Sequence, residues 1–278
     1  MPLPPRIALM GVEIDRVTMR GAVDHIDGEL RAGRGGWVVT PNLEILRRLR
    51  TDPEVALLCA PAELRLADGM PLVWASRLRG TPLPERVAGS DLIWSLCEHA
   101  ARGDGGGGWS VFLLGGNPGA ADAAAGRLAA GYPGLRIAGV HCPPMGFEGD
   151  EHERAEIRRR LSEARPDIVF VGLGSPKQER LIVELRPDLP RAWFLGIGVT
   201  FSFVAGEMAR APAWMRRTGL EWFHRLITEP RRLGKRYLVH GVPFALRLLG
   251  VSFVEGVPRL WGWRTGRPNQ SMGVAPPQ

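Results

Sequence analysis

The first two hundred residues alternate between short apolar runs and longer stretches of helical periodicity. Runs at 7–13, 37–40, 64–67, 109–114, 135–140, 167–172 and 192–197 predict strands. Between them, 18–32, 42–59, 70–79, 90–102, 118–130, 151–164 and 175–186 predict helices. The run Ile168 to Val171 is apolar at every position, as in a strand buried on both faces. Such alternation predicts an α/β fold, a Rossmann-like parallel sheet with helices on both faces. No solenoid-type repeat is present. The stretch Asp104-Gly-Gly-Gly-Gly108 predicts a flexible connector between two halves of this body.

The pattern changes near Glu207. Ala211-Pro-Ala-Trp-Met-Arg-Arg217 and Leu220-Glu-Trp-Phe-His-Arg-Leu-Ile227 predict short helices that carry aromatics and arginines together. Residues 237–261 are strongly apolar but interrupted by Pro243, Arg247, Glu255 and Pro258. This suits helices lying on a membrane interface, with Trp261 and Trp263 as headgroup-level anchors. A helical cap packed on the body is the plainer alternative. The expected division is an α/β body over 1–206, a helical appendage over 207–264 and a disordered tail over 265–278.

Charge sharpens that division. Residues 207–278 hold 12 Lys and Arg against 4 Asp and Glu, a net of +8. The preceding 206 residues hold 24 against 25, a net of −1. A basic segment of this kind implies an anionic partner, whether membrane lipid, nucleic acid or a phosphorylated substrate. Three cysteines, Cys59, Cys97 and Cys142, show no CxxC spacing and fit a reduced, cytoplasmic setting. The first residues lack the apolar core of a signal peptide. No uninterrupted apolar run reaches about 18 residues, so no spanning helix is expected.

Ligands of open parallel sheets bind at the carboxyl ends of strands, which selects the polar residues there. Val38-Val-Thr-Pro-Asn42 leaves Thr40 and Asn42 at that rim, although Asn42 also suits a helix N-cap. Leu66-Ala-Asp-Gly-Met70 places Asp68 there, as a turn residue or a general base. Arg86, within Pro84-Glu-Arg-Val-Ala-Gly-Ser-Asp91, has the planar fork that clamps a phosphate or carboxylate, while Ser90 and Asp91 read as a helix start. Phe112-Leu-Leu-Gly-Gly-Asn-Pro-Gly119 is a phosphate-cradle candidate through Gly115, Gly116 and Asn117, without full GxGxxG spacing. Gly172-Leu-Gly-Ser-Pro-Lys-Gln-Glu179 is a second, where Gly172 and Gly174 admit close backbone approach. There Ser175 is expected as N-cap and Pro176 at the first helical position, with Lys177, Gln178 and Arg180 in the first turn beside an anion.

Other chemistries lack their residues. The histidines are scattered, with no HExxH and no Cys/His cluster, so no zinc site is expected. There is no P-loop, no GxSxG elbow and no Asp-x-Asp to hold a metal-bound diphosphate. A nicotinamide-dependent oxidoreductase remains an alternative through Gly115–Gly119. A nucleic-acid module is disfavoured, because the basic residues sit within apolar, tryptophan-bearing helices.

Taken in order, these segments resemble the WecG/TagA/CpsF family of bacterial glycosyltransferases. The resemblance rests on Thr40-Pro-Asn42, Ala67-Asp-Gly69, Arg86 to Asp91, Phe112 to Gly116, Gly172 to Glu179 and Gly196-Ile-Gly-Val-Thr-Phe201. It continues through Ala211 to Met215, Gly219-Leu-Glu-Trp-Phe-His-Arg225 and Glu229-Pro-Arg-Arg232, and so spans roughly residues 8 to 237. It implies an inverting, metal-independent transfer from a UDP-sugar to a polyprenyl-diphosphate-linked acceptor at the cytoplasmic membrane face. The sugar it implies is N-acetylmannosamine, its uronate or a related hexose, and no cofactor is called for. By the same resemblance Asp68 matches the base, and Thr40, Asn42, Arg86 and Gln178 match active-site residues. Glu179 and Gly198 fall at the donor, and Arg216, Arg217, Arg225, Arg231 and Arg232 complete the site over the diphosphate. Ser202 departs from the pattern, since many relatives carry Asp there. A homo-oligomer is compatible with such an appendage.

Overall fold

The computed structural model describes residues 4–102 and 108–260; the side chains of Ala213, Arg216, Arg217, Arg232, Pro258, Arg259 and Leu260 lie outside that description. So do Trp261, Trp263, the tail expected to be disordered and most of the glycine connector.

Six strands form one parallel sheet in the order β4-β3-β8-β7-β5-β6. They are β3 (Gly36–Val39), β4 (Leu64–Arg65), β5 (Ser110–Gly115), β6 (Arg136–His141), β7 (Ile168–Gly172) and β8 (Trp193–Gly196). Strands β3, β5, β7 and β8 are buried at every position, which is why their sequences do not alternate. Strands on both sides of the glycine connector share this sheet, so the connector does not divide the body into halves.

Alternate residues feed two cores. Val38, Leu113, Phe170 and Leu195 meet helices α1 (Met19–Arg31), α5 (Gly89–Ala101), α6 (Ala120–Gly131) and α9 (Thr200–Ala205) on one face. Val39, Leu114, Val171 and Phe194 meet α3 (Pro53–Cys59), α7 (Glu151–Ala164) and α8 (Lys177–Leu185) on the other. Ile45 and Leu49 of α2 (Leu43–Thr51) pack against that second face.

Two expected elements are split. The run 7–13 folds as an antiparallel hairpin, β1 (Arg6–Leu9) and β2 (Val12–Asp15), because Met10 and Gly11 both take positive φ, the geometry of a tight hairpin turn. The stretch 42–59 breaks into α2 and α3 at Asp52, whose carboxylate accepts from the backbones of Glu54 and Val55, with Pro53 opening α3.

The appendage contains α10 (Ala213–Thr218), α11 (Glu221–Thr228), α12 (Pro230–Gly234), a π-helical stretch (Lys235–Gly241) and α13 (Val242–Leu260). Helix α13 lies against α4 (Met70–Leu78) and the β1–β2 hairpin. Phe244, Leu248, Ser252 and Gly256 are its buried stripe, at the four-residue spacing of one helical face. Arg79 pairs with Glu255 at 2.9 Å. The opposite side leaves Leu246, Phe253 and Val254 more than half exposed. By length and mean hydropathy (1.5), Lys235–Val257 is enough to cross a membrane. The requirement of an uninterrupted apolar run passed over it because Arg247 and Glu255 punctuate it.

Helix α13 seats closely because Gly256 has no side chain. A Cβ there would lie 2.0 Å from the Leu78 carbonyl oxygen. Gly256→Ala gains up to about 1 kcal/mol of helix propensity but meets immovable backbone, a cost of about 1–3 kcal/mol. Net destabilisation in urea, with faster proteolysis within 235–257, is expected; unchanged stability would show that α13 is not held by this contact.

Candidate active site

Strands β3 and β8 are neighbours, yet the chain leaves them toward opposite faces, through α2 on one side and α9 on the other. The divergence opens a crevice at their carboxyl ends, and the appendage roofs it. The resulting cavity, about 680 Å³, is lined by Thr40, Asn42, Asp68, Arg86, Gly174, Ser175, Gln178, Glu179 and Gly198 from the body. Glu221, Trp222, Arg225, Arg236 and Tyr237 line it from the appendage.

Asp68 follows the short strand β4, and its backbone N–H donates to the Pro41 carbonyl at 2.9 Å. Gly69, at φ 150°, then turns the chain into α4 and leaves the carboxylate at the rim. Burial in the cleft, with Glu221 and Asp91 adding to it and Arg86 and the Gly89 backbone only partly opposing them, pushes the Asp68 carboxyl up to about 6. A carboxylate with that affinity for protons is a competent base near neutral pH.

Arg86 stands beside it, with Nη1 at 3.8 Å from Asp68. The same Nη1 donates to Glu221 at 3.0 Å and Nη2 to Asp91 at 2.9 Å. Arg210 closes the cluster by donating to Asp91 and Ser90, both at 2.7 Å. Ser90 and Asp91 do stand at the helix start the sequence predicts, in the first turn of α5 after the N-cap Ala88, and their side chains also serve this cluster.

Gln178 is buried. Its Oε1 accepts from the Gly198 backbone at 3.1 Å and its Nε2 donates to Glu179 at 3.0 Å. It ties the β7–α8 turn to the β8–α9 loop. Glu179 is 2% exposed, and its second carboxylate oxygen has no hydrogen-bond partner. Asn42 accepts from the Glu44 and Ile45 backbones as the α2 N-cap, so toward a ligand only its amide NH₂ faces duty. Thr40 is buried close to Gly89. Arg225 reaches the cavity over the Phe203 ring, 5.6 Å from its centroid, with a buried, unpartnered Nε.

Several expected binders lie elsewhere. Gly115, Gly116, Asn117 and Gly172 do not line the cavity. The Gly116 N–H donates to the Gly172 carbonyl at 2.7 Å, and a Cβ on either Gly116 or Gly172 would press on Phe201. These glycines make room for a ring rather than for a phosphate. Asn117 donates to Ser202 at 3.3 Å, which turns Ser202 away from the cavity as well. Helix α8 begins after Pro176, without Ser175 as a side-chain cap; Ser175 instead accepts from Arg48 at 3.1 Å. Pro176 is outside the lining, Lys177 pairs with Glu148 and Arg180 with Glu54. Arg231 is exposed and outside the cavity. Arg216, Arg217 and Arg232, expected over the diphosphate, have side chains outside the described residues.

Four contributors escaped the sequence reading: Arg210, Glu221, Trp222 and Arg236. The available signal was charge placed inside an aromatic, apolar segment; what sequence lacked was the partner, 135 residues away for Glu221 and Arg86. No group of three or more His, Cys, Asp or Glu is placed to hold a metal ion among the described residues.

A carboxylate with raised proton affinity beside a guanidinium, at the ligand edge of a doubly wound sheet, is the equipment of a group-transfer enzyme. Comparison with known proteins gives that class a name. Residues 7–255 match the glycosyl transferase WecG/TagA/CpsF family, and the chain belongs to it. It is 33% identical over 211 residues to an N-acetylglucosaminyldiphosphoundecaprenol N-acetyl-beta-D-mannosaminyltransferase of Bacillus spizizenii, covering 76% of this chain and 78% of that one. A Bacillus subtilis protein of the same name is 32% identical over 198 residues, covering 71% and 73%. The chain is a glycosyltransferase, and the oxidoreductase alternative loses its footing with the Gly115–Gly119 turn outside the cavity.

If Gln178 is a brace, removing its amide must cost stability. Gln178→Met orphans the half-buried Gly198 N–H and the buried Glu179 carboxylate, and a loss of about 1–3 kcal/mol in chemical denaturation is expected. A wild-type unfolding curve would mean that the two bonds contribute nothing to the fold.

Proposed function

We propose that this enzyme transfers N-acetylmannosamine, its uronate or a related hexose from a UDP-sugar to an N-acetylglucosamine carried on a polyprenyl diphosphate. The observation that carries this reading is the Asp68–Arg86 pair at the floor of the cavity, in a chain similar over most of its length to enzymes named for that transfer.

In the scheme, Asp68 takes the proton of the acceptor hydroxyl as that oxygen bonds to the anomeric carbon. The bond from that carbon to the diphosphate oxygen breaks on the opposite side, UDP leaves and the centre inverts. Charge gathering on the leaving diphosphate is met by the appendage guanidiniums Arg225 and Arg236, which line the cavity. That is the work a metal does in other transferases; here we propose that none is needed. The free oxygen of Glu179 is an acceptor for a donor hydroxyl or N–H, and Gly174, Ser175 and Gly198 set backbone beside it.

The experiment is a screen of UDP-sugars against a short-chain lipid-diphosphate acceptor, with and without EDTA. Rates are expected to be indifferent to EDTA and kcat/KM to fall about tenfold per pH unit below pH about 6, where Asp68 takes up its proton. Asp68→Asn should keep UDP binding and lose about 10²–10⁴ in turnover; near-normal turnover would remove Asp68 from the role.

We further propose that the enzyme works at the cytoplasmic membrane face, with α13 lying in the interface instead of spanning it. Support comes from its packed stripe on one side and the exposed Leu246, Phe253 and Val254 on the other. Lys and Arg near an anionic surface add about 1 kcal/mol each. Phe253→Glu with Val254→Glu, both exposed and outside the cavity, should abolish sedimentation with phosphatidylglycerol vesicles while leaving UDP binding intact. Undiminished sedimentation would place the lipid contact elsewhere.

A further inference from the structure

Among the described residues, the carboxylates Asp68, Asp91 and Glu221 surround the guanidiniums Arg86 and Arg210 and share them unequally. Asp91 has both arginines, at 2.9 and 2.7 Å. Glu221 has Arg86 at 3.0 Å and Arg210 at 3.7 Å. Asp68 is left with Arg86 at 3.8 Å, beyond hydrogen-bond length. Yet Arg86 and Asp68 are near enough that a small rotation of the guanidinium would join them. A joined pair would occupy the carboxylate's lone pairs and hold it ionised with little appetite for a proton.

What prevents this is the occupation of both ends of the Arg86 fork. We propose that Glu221 is a positioning residue: by holding Nη1 of Arg86, while Asp91 holds Nη2, it keeps the guanidinium off Asp68 and leaves that carboxylate open to the acceptor hydroxyl. Glu221 is the first residue of α11, entered from Gly219, whose backbone sits against Met70 and Trp74 of α4. The base is thus made ready by the appendage, and only while the appendage is seated. This deepens the reading of Asp68 as the base and rests on it.

The test is a ¹³C-carboxyl NMR titration of the full chain without substrate, with the Asp68 signal assigned by its loss in Asp68→Asn. The charged groups facing Asp68 are Arg86, Asp91 and Glu221, with Arg210 behind them, so an isosteric change at Glu221 alters one of them alone. In Glu221→Gln the titration midpoint is expected to fall by about one pH unit, and the acid limb of kcat/KM to move with it. Glu221→Asp, which restores the charge, should bring both back toward the wild-type position. A midpoint unmoved in Glu221→Gln overturns the proposal, even if activity is lost, because a residue that merely seats the appendage would act that way. A fall accompanied by new protease cleavage between 206 and 241 also overturns it, since the cavity would then simply have opened to water. Turnover surviving in Asp68→Asn would instead strike the underlying reading; the titration, made without substrate, reports on Glu221 independently.

Discussion

The divergence of the chain at β3 and β8 is the constraint on which the site depends. Two adjacent parallel strands whose following helices go to opposite faces cannot close over their own ends. Thr40 and Asn42 stand on one lip of that gap, Gly198 on the other, and Gln178 braces the far wall from β7. Neither lip carries enough polar groups to hold a charged ligand by itself. The gap becomes a cavity because residues beyond 206 fold back across it.

The electrostatics follow from that roof. Without it Asp68 would be a rim carboxylate in water beside an arginine, with an ordinary or lowered affinity for protons. Covering the crevice removes solvent from around the carboxylate and adds Glu221 to its surroundings, and both changes push in the same direction. Arg225 and Arg236 line the cavity from the same segment, so in the proposed scheme the surroundings of the base and the anion-binding guanidiniums come from one stretch of chain. The body supplies a shaped floor; the appendage supplies much of the charge.

How far the sequence disclosed this varied with the range of the interaction. Strands β5 and β7 were legible because burial on both faces leaves an unbroken apolar run, a local record of a global fact. Asp68 was legible through its position after a strand, and Arg86, in the loop between α4 and α5, through its guanidinium fork and the family resemblance. The hairpin at Met10–Gly11 was not, because a single glycine inside a short strand-like run is a weak mark, and nothing in Met10 announces its positive φ. The glycines at 115, 116 and 172 misled for a related reason: a missing side chain reads the same whether a phosphate fills the space or a neighbour does, Leu173 at Gly115 and the Phe201 ring at Gly116 and Gly172. Arg210 and Glu221 were hidden because their meaning lies in partners more than a hundred residues away.

The seating of α13 against α4 has a geometric consequence. Helix α4 begins two residues after Asp68 and ends at Leu78, where Gly256 abuts it. Nine residues of helix span about 13 Å. If the outer side of α13 rests in the lipid interface, α4 becomes a strut of fixed length between bilayer and base. The enzyme would then measure its acceptor by height: a sugar one diphosphate above the lipid meets the carboxylate, and a longer glycan overshoots it.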